Sequence, residues 1–188
     1  MAVSRILCMP GLFVLILGVC GFIENRDAPE WHYIQQHKQF AIAEMELHGI
    51  PASIKLAQAL VESDAGRSIL ATRANNHFGI KCKSWWTGDQ YYYADDDFDA
   101  HGRLAPSCFR FYDSAQQSFT DHSQFLKYSG RYTRLFSLGT DDYRRWAQGL
   151  QDFGYATSRN YSNTLIGVIE KYRLYELDEV PVAARRPR

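Results

Sequence analysis

The hydrophobic positions of the chain change period several times, and each change marks an element. Residues 29–47 carry Trp31, Ile34, Phe40, Ala43 and Leu47 at roughly helical spacing, and Gly49 stops the run. Pro51 opens a second helix in which Ile54, Leu56, Ala57, Leu60 and Val61 form one apolar arc, ended by Ala65-Gly66. Short stretches at 78–81, 91–94 and 109–112, set around polar turns, predict strands. Ser114 is placed to cap a helix reaching about residue 127, and 141–150 and 162–175 predict two more. The pattern contains no internal repeat and no linker. The expected fold class is α+β, mainly α: one helical domain with a small β-hairpin inserted between its second and third long helices.

The two ends read differently. Arg5 precedes an apolar run over residues 6–23 with small residues near its end, the layout of a secretory signal. Three outcomes stay open. These are cleavage near residues 18–21, lipidation of Cys20 after a lipobox-like Leu17-Gly18-Val19-Cys20, and an uncleaved membrane anchor. All three export the chain from Glu24 onward, to the periplasm, the cell envelope or the medium. Residues 1–23 are therefore expected to be a signal or anchor, 24–179 the single folded domain, and the Pro/Arg-rich 180–188 a flexible tail.

Composition narrows the function. A chain of 188 residues supports one sizeable core, and 46% hydrophobic residues with 14% aromatics fit a folded protein. Lys+Arg and Asp+Glu both number 21, and loss of residues 1–20 removes Arg5 alone. That balance argues against nucleic acid as a partner, because binding there needs many phosphate-neutralising cations. Cys8 and Cys20 fall in the leader, which leaves Cys82 and Cys108 as an even pair in an oxidising compartment. A disulfide between them is expected, worth about 3–4 kcal/mol for a loop of ~27 residues in the chain-entropy treatment. No CxxC or HxxxH spacing points to a metal, and no cofactor is expected.

Glu62 is the first candidate for chemistry. At about 100° per residue, Gln58 and Glu62 lie just beyond the edge of the apolar arc of the second helix. A carboxyl beside apolar surface is costly to ionise, and a raised pKa suits it to donate a proton to a glycosidic oxygen. An ordinary solvated glutamate at a helix end is the competing reading.

Four motifs, the first containing Glu62 itself, bear on the choice. The segment Ala57-Gln58-Ala59-Leu60-Val61-Glu62-Ser63 is followed by Asn75-Asn76-His77-Phe78-Gly79-Ile80-Lys81. Phe109-Arg110-Phe111-Tyr112-Asp113-Ser114 comes next, then Gly154-Tyr155-Ala156-Thr157 with Asn160-Tyr161. In this order they resemble the glucosaminidase family, glycoside hydrolase family 73, which includes flagellar muramidase-like domains. The resemblance spans about residues 34–177. It implies a lysozyme-like helical lobe with a small β-lobe, and endo-cleavage of the β-1,4 bond after N-acetylglucosamine in peptidoglycan; a monomer is expected. It places the family's catalytic glutamate at Glu62 and its active-site tyrosine at Tyr155, with Asn76 and Phe78 lining the groove. The second acidic residue of the family falls on the hairpin before an aromatic, where Asp97-Phe98 matches best and Asp96 next. Aspartate stands there in place of the usual glutamate. Asp64-Ala65-Gly66 also departs from the family's glycine, aromatic, glycine.

Trp86 and Tyr92, in the cluster Trp85, Trp86, Tyr91, Tyr92 and Tyr93, are candidates for stacking on sugar rings, with Tyr161 as a further groove residue. Alternate members of the tyrosine run are expected to pack and to face the substrate. Besides glucosaminidase activity, two alternatives remain at this level: an inactive wall-binding or scaffold protein on the same fold, and a lytic transglycosylase or muramidase.

Overall fold

The computed structural model describes residues 28–98 and 101–179. The leader with Cys20, residues 99–100 and the 180–188 tail lie outside the described residues. Six α-helices and one hairpin follow in the order α1 (Pro29–His48), α2 (Ala52–Glu62), α3 (Ile69–Ala74), β1 (Gln90–Phe98), β2 (Leu104–Arg110), α4 (Ala115–Tyr128), α5 (Tyr143–Asp152) and α6 (Tyr161–Lys171). Two 3-10 segments, Gly130–Ser137 and Leu174–Glu179, complete the chain. The helices predicted at 29–47, 114–127 and 141–150 are found within about two residues of those limits. The one predicted over 162–175 stops at Lys171 and continues as the last 3-10 segment. The pattern gave no sign of α3 or of Gly130–Ser137. Both are short: Gly130–Ser137 is held by packing on the helices before and after it, and α3 by its caps at Ser68 and Asn75.

α2 is the axis of the molecule. Every residue from Ala52 to Leu60 is buried, because α1, α5, α6 and the last 3-10 segment surround it. The apolar arc read from the sequence is therefore only part of what α2 hides. Ser53, Lys55 and Gln58 are inside too, and each has a polar partner. α1 buries Tyr33, Ile34, His37, Ala41, Glu44 and Met45 at helical spacing, starts on Pro29 and ends on Gly49 in the left-handed region. Ser114 caps α4 as expected, its hydroxyl accepting from the Gln117 N–H.

The hairpin sits between α3 and α4. β1 and β2 pair antiparallel from Gln90↔Arg110 to Ala94↔Pro106, then slip before Phe98↔Leu104. The predicted strand at 78–81 contributes only the bridge Lys81↔Phe109. Cys82 and Cys108 are joined by a disulfide that ties this bridge to β2. Among the described residues, no helix is long and apolar enough to cross a membrane.

Candidate active site

Glu62 is the last residue of α2, half-buried, where the negative end of the helix dipole adds to the cost of its charge. Its Oε1 accepts a hydrogen bond of 2.7 Å from the Tyr161 hydroxyl. Tyr161 is the first residue of α6, and its own oxygen accepts from Gln58 Nε2 at 3.2 Å. Burial raises the Glu62 pKa above the ordinary carboxyl value, and the Tyr161 hydrogen bond offsets part of that rise. Tyr155 stacks on Tyr161 with ring centroids 5.5 Å apart. Its phenol is held neutral by burial and by the neighbouring Tyr161 and Glu62. Three motifs distant in sequence thus meet at one point: the end of α2, the Gly154–Thr157 turn and the start of α6.

A buried polar chain runs behind these tyrosines. The Tyr155 hydroxyl lies 2.8 Å from His122 Nε2, and His122 Nδ1 lies 2.8 Å from Lys55 Nζ. Both His122 and Lys55 are fully buried. Phe78 lies flat on the His122 ring, with centroids 3.9 Å apart. The sequence reading did not reach Lys55 or His122. The available signal was a lysine between Ile54 and Leu56 in a helix otherwise too apolar to need one.

The other expected residues fall into three groups. Asn76 is 1% exposed, and its amide is fully used inside the chain, donating to the Ile80 and Arg110 carbonyls and accepting from the Ile80 N–H. It holds the turn that carries Phe78. Tyr92 is 63% exposed, while Tyr91 and Tyr93 are half-buried, so the tyrosine run does alternate along β1. Trp86 packs beside Arg110 and edge-on to Tyr112. It walls a cavity of about 530 Å³ whose other lining comes mainly from α4, including Gln117, Asp121 and Gln124. Glu62 and its tyrosines do not line that cavity.

Asp97 is exposed on β1. Its Oδ2 pairs with Lys81 Nζ at 2.8 Å and accepts from the Ser107 hydroxyl. The Lys81 and Ser107 hydrogen bonds hold its carboxyl below the usual range, so it is ionised. The Asp96 side chain lies outside the described residues.

Residues 38–174 match the glucosaminidase family, described as mannosyl-glycoprotein endo-beta-N-acetylglucosaminidase. The chain is 36% identical over 137 residues to the exo-glucosaminidase LytG of Bacillus subtilis, covering 71% of this chain and 48% of that protein. It is 28% identical to the peptidoglycan hydrolase FlgJ of Vibrio cholerae, covering 77% of this chain and 45% of that one. The chain thus spans about half the length of these two relatives. Among solved structures, a peptidoglycan hydrolase mutant from Sphingomonas sp. A1 superposes with a TM-score of 0.66 at 28% identity, covering 80% of this chain and 97% of that one. The glycoside hydrolase domain of Salmonella typhimurium FlgJ gives 0.64 at 25% identity, covering 78% and 90%.

Proposed function

The chain belongs to the glucosaminidase family, and from that premise we propose that it is an exported peptidoglycan hydrolase cleaving the β-1,4 bond after N-acetylglucosamine. One observation carries the reading: a half-buried carboxyl with a raised pKa, held by one tyrosine beside a second, at the end of the central helix. Glu62 acts in its protonated form and gives its proton to the leaving glycosidic oxygen. Tyr161 fixes the carboxyl's orientation, and Tyr155 offers a neutral phenol beside it. Asp97, ionised on the hairpin, is the proposed second carboxylate, either directing water or facing the developing positive charge. Tyr92 and Trp86 supply faces for sugar rings on the hairpin side, and Asn76 and Phe78 support the groove from behind. The partner is the glycan strand. Export rests on Arg5 and the apolar run after it, and the Cys82–Cys108 disulfide suits an oxidising compartment.

The test is digestion of purified sacculi. Glu62→Gln should retain the fold and sacculus binding and lose muropeptide release by about 10³-fold or more, as expected for removal of a general acid together with its charge control. Undiminished release by that variant refutes the assignment. Binding without turnover by the unaltered chain favours the scaffold reading. Product mass spectrometry separates the remaining options. Fragments ending in reducing N-acetylglucosamine fit this proposal, and anhydro ends indicate a transglycosylase. Release of terminal sugars alone indicates the exo mode named for the Bacillus relative.

A further inference from the structure

Lys55 has an unusual set of neighbours for a fully buried lysine. Its Nζ donates to His122 Nδ1 at 2.8 Å and to the Phe119 carbonyl at 3.4 Å, and sits 5.4 Å from the centre of the Phe78 ring. A carbonyl oxygen and the face of an aromatic ring can only accept, and the ring face favours a charged donor over a neutral one. With the Glu44 and Asp121 carboxylates nearby as well, the pocket favours an ammonium, whose remaining N–H is directed at His122 Nδ1. The charged and titratable groups facing it are Glu44 and His48 on α1 and Asp121 and His122 on α4. The Glu44 and Asp121 carboxylates support the ammonium, while burial pulls its pKa down to about 7.

An ammonium has no lone pair, so His122 Nδ1 must accept from it. His122 is neutral, since burial and Lys55 both push its pKa well below the usual value. A neutral imidazole that accepts at Nδ1 carries its hydrogen on Nε2. That N–H points at the Tyr155 oxygen 2.8 Å away and donates to it. The Tyr155 hydrogen is then released from the protein's own network and is free to donate elsewhere. With the opposite tautomer, Nε2 would accept and would hold the phenol hydrogen turned inward.

We infer that Lys55 and His122 are positioning residues that set the direction of the hydrogen-bond chain, so that Tyr155 faces the glycan as a donor. The inference rests on the proposed role of Tyr155 as a groove residue beside Glu62. Neither Lys55 nor His122 touches substrate. They act through Tyr155, and stacking of Phe78 on His122 holds the imidazole in plane for both hydrogen bonds.

Two measurements test it. In the uniformly ¹⁵N-labelled full chain in mildly acidic buffer, long-range ¹H–¹⁵N spectra report which His122 nitrogen is protonated, the signals being assigned by their loss in His122→Gln. The Nε2–H form is expected, and the Nδ1–H form overturns the inference. Kinetics on soluble glycan strands then compare two substitutions. His122→Gln keeps an acceptor for Lys55 and an N–H for Tyr155, whereas His122→Phe keeps the ring packing alone. The glutamine variant should retain kcat within about threefold, and the phenylalanine variant should lose kcat about tenfold or more with KM nearly unchanged, as for loss of a single transition-state hydrogen bond. Equal kcat in the two variants overturns the inference. If the unaltered chain turns over nothing, the proposed activity fails and the tautomer measurement still decides the direction of the chain.

Discussion

Glu62 sits where a negative charge is least stabilised, at the carboxyl end of a buried helix. Its one described hydrogen bond, from Tyr161, favours the ionised form and so works against burial. This opposition makes a prediction about pH. Tyr161→Phe removes the hydrogen bond that lowers the Glu62 pKa and leaves burial unopposed, so the carboxyl should stay protonated to higher pH. The alkaline limb of kcat/KM should then move upward relative to the unaltered protein, even if the peak rate falls. A limb that stays in place or moves to lower pH would show that Tyr161 does not tune Glu62. The same change leaves the buried Gln58 amide without its acceptor, a cost of about 1–3 kcal/mol in stability. Glu62 was recognisable in the sequence through its motifs. Its stabilising tyrosine was visible only as a groove candidate, because residues 99 positions apart meet through packing that no local pattern encodes.

At the scale of elements, α2 and its exit determine where Glu62 points. The helix breaks into Asp64, Ala65 and Gly66, all three in the left-handed region with φ of 50°, 51° and 79°. Asp64 and Ala65 carry side chains there, at a cost of order 1 kcal/mol or more each. Ser63 steadies the turn, its hydroxyl donating to the Ala59 carbonyl and accepting from the Gly66 N–H. Gly66 is required twice over: its φ suits glycine, and a Cβ there would lie 2.9 Å from the Tyr33 ring. Gly66→Ala should therefore destabilise the fold by about 1–3 kcal/mol, measured by urea unfolding. A change below a few tenths of a kcal/mol would mean that α1 yields at Tyr33 and that the turn relaxes out of the left-handed region. Helical periodicity located α1, α2, α4 and α5, but it chose the inner face of α1 poorly: of the apolar residues it named there only Ile34 is buried, and Leu47 is 70% exposed. It misjudged the surface of α2, since a helix enclosed on all sides has no polar face: Gln58, which the wheel put at an edge, lies inside together with Ser53 and Lys55. The strand near 78–81 was overread for a related reason: Phe78 and Ile80 are apolar because they enter the helical core, and the segment forms only one bridge.

At the scale of the whole molecule, two ties join distant parts of the chain. The disulfide fixes the base of the hairpin, which otherwise rests on a two-stranded ladder too small to be stable alone. The second tie is Asp178, whose carboxylate accepts from the Ser53 backbone N–H at 2.8 Å and the Ser53 hydroxyl at 2.5 Å, at the start of α2. Burial pushes the Asp178 carboxyl up to about 6 despite these hydrogen bonds. The folded state therefore holds that proton more tightly than the unfolded chain, whose aspartate titrates near ~3.9. Stability from this group is complete below about pH 4 and is lost as pH rises through about 6. Asp178→Asn should remove this part of the slope, so that the denaturation midpoints of variant and unaltered protein converge or cross across that window. Parallel midpoints at every pH would show that Asp178 titrates alike in both states. The same tie has a consequence for the order of synthesis. Residues 174–179 close the last open flank of α2, yet the ribosome adds Asp178 125 positions after Ser53. Until they emerge, the helix that carries Glu62 is incompletely enclosed, so the groove cannot be finished before residue 179 has left the ribosome.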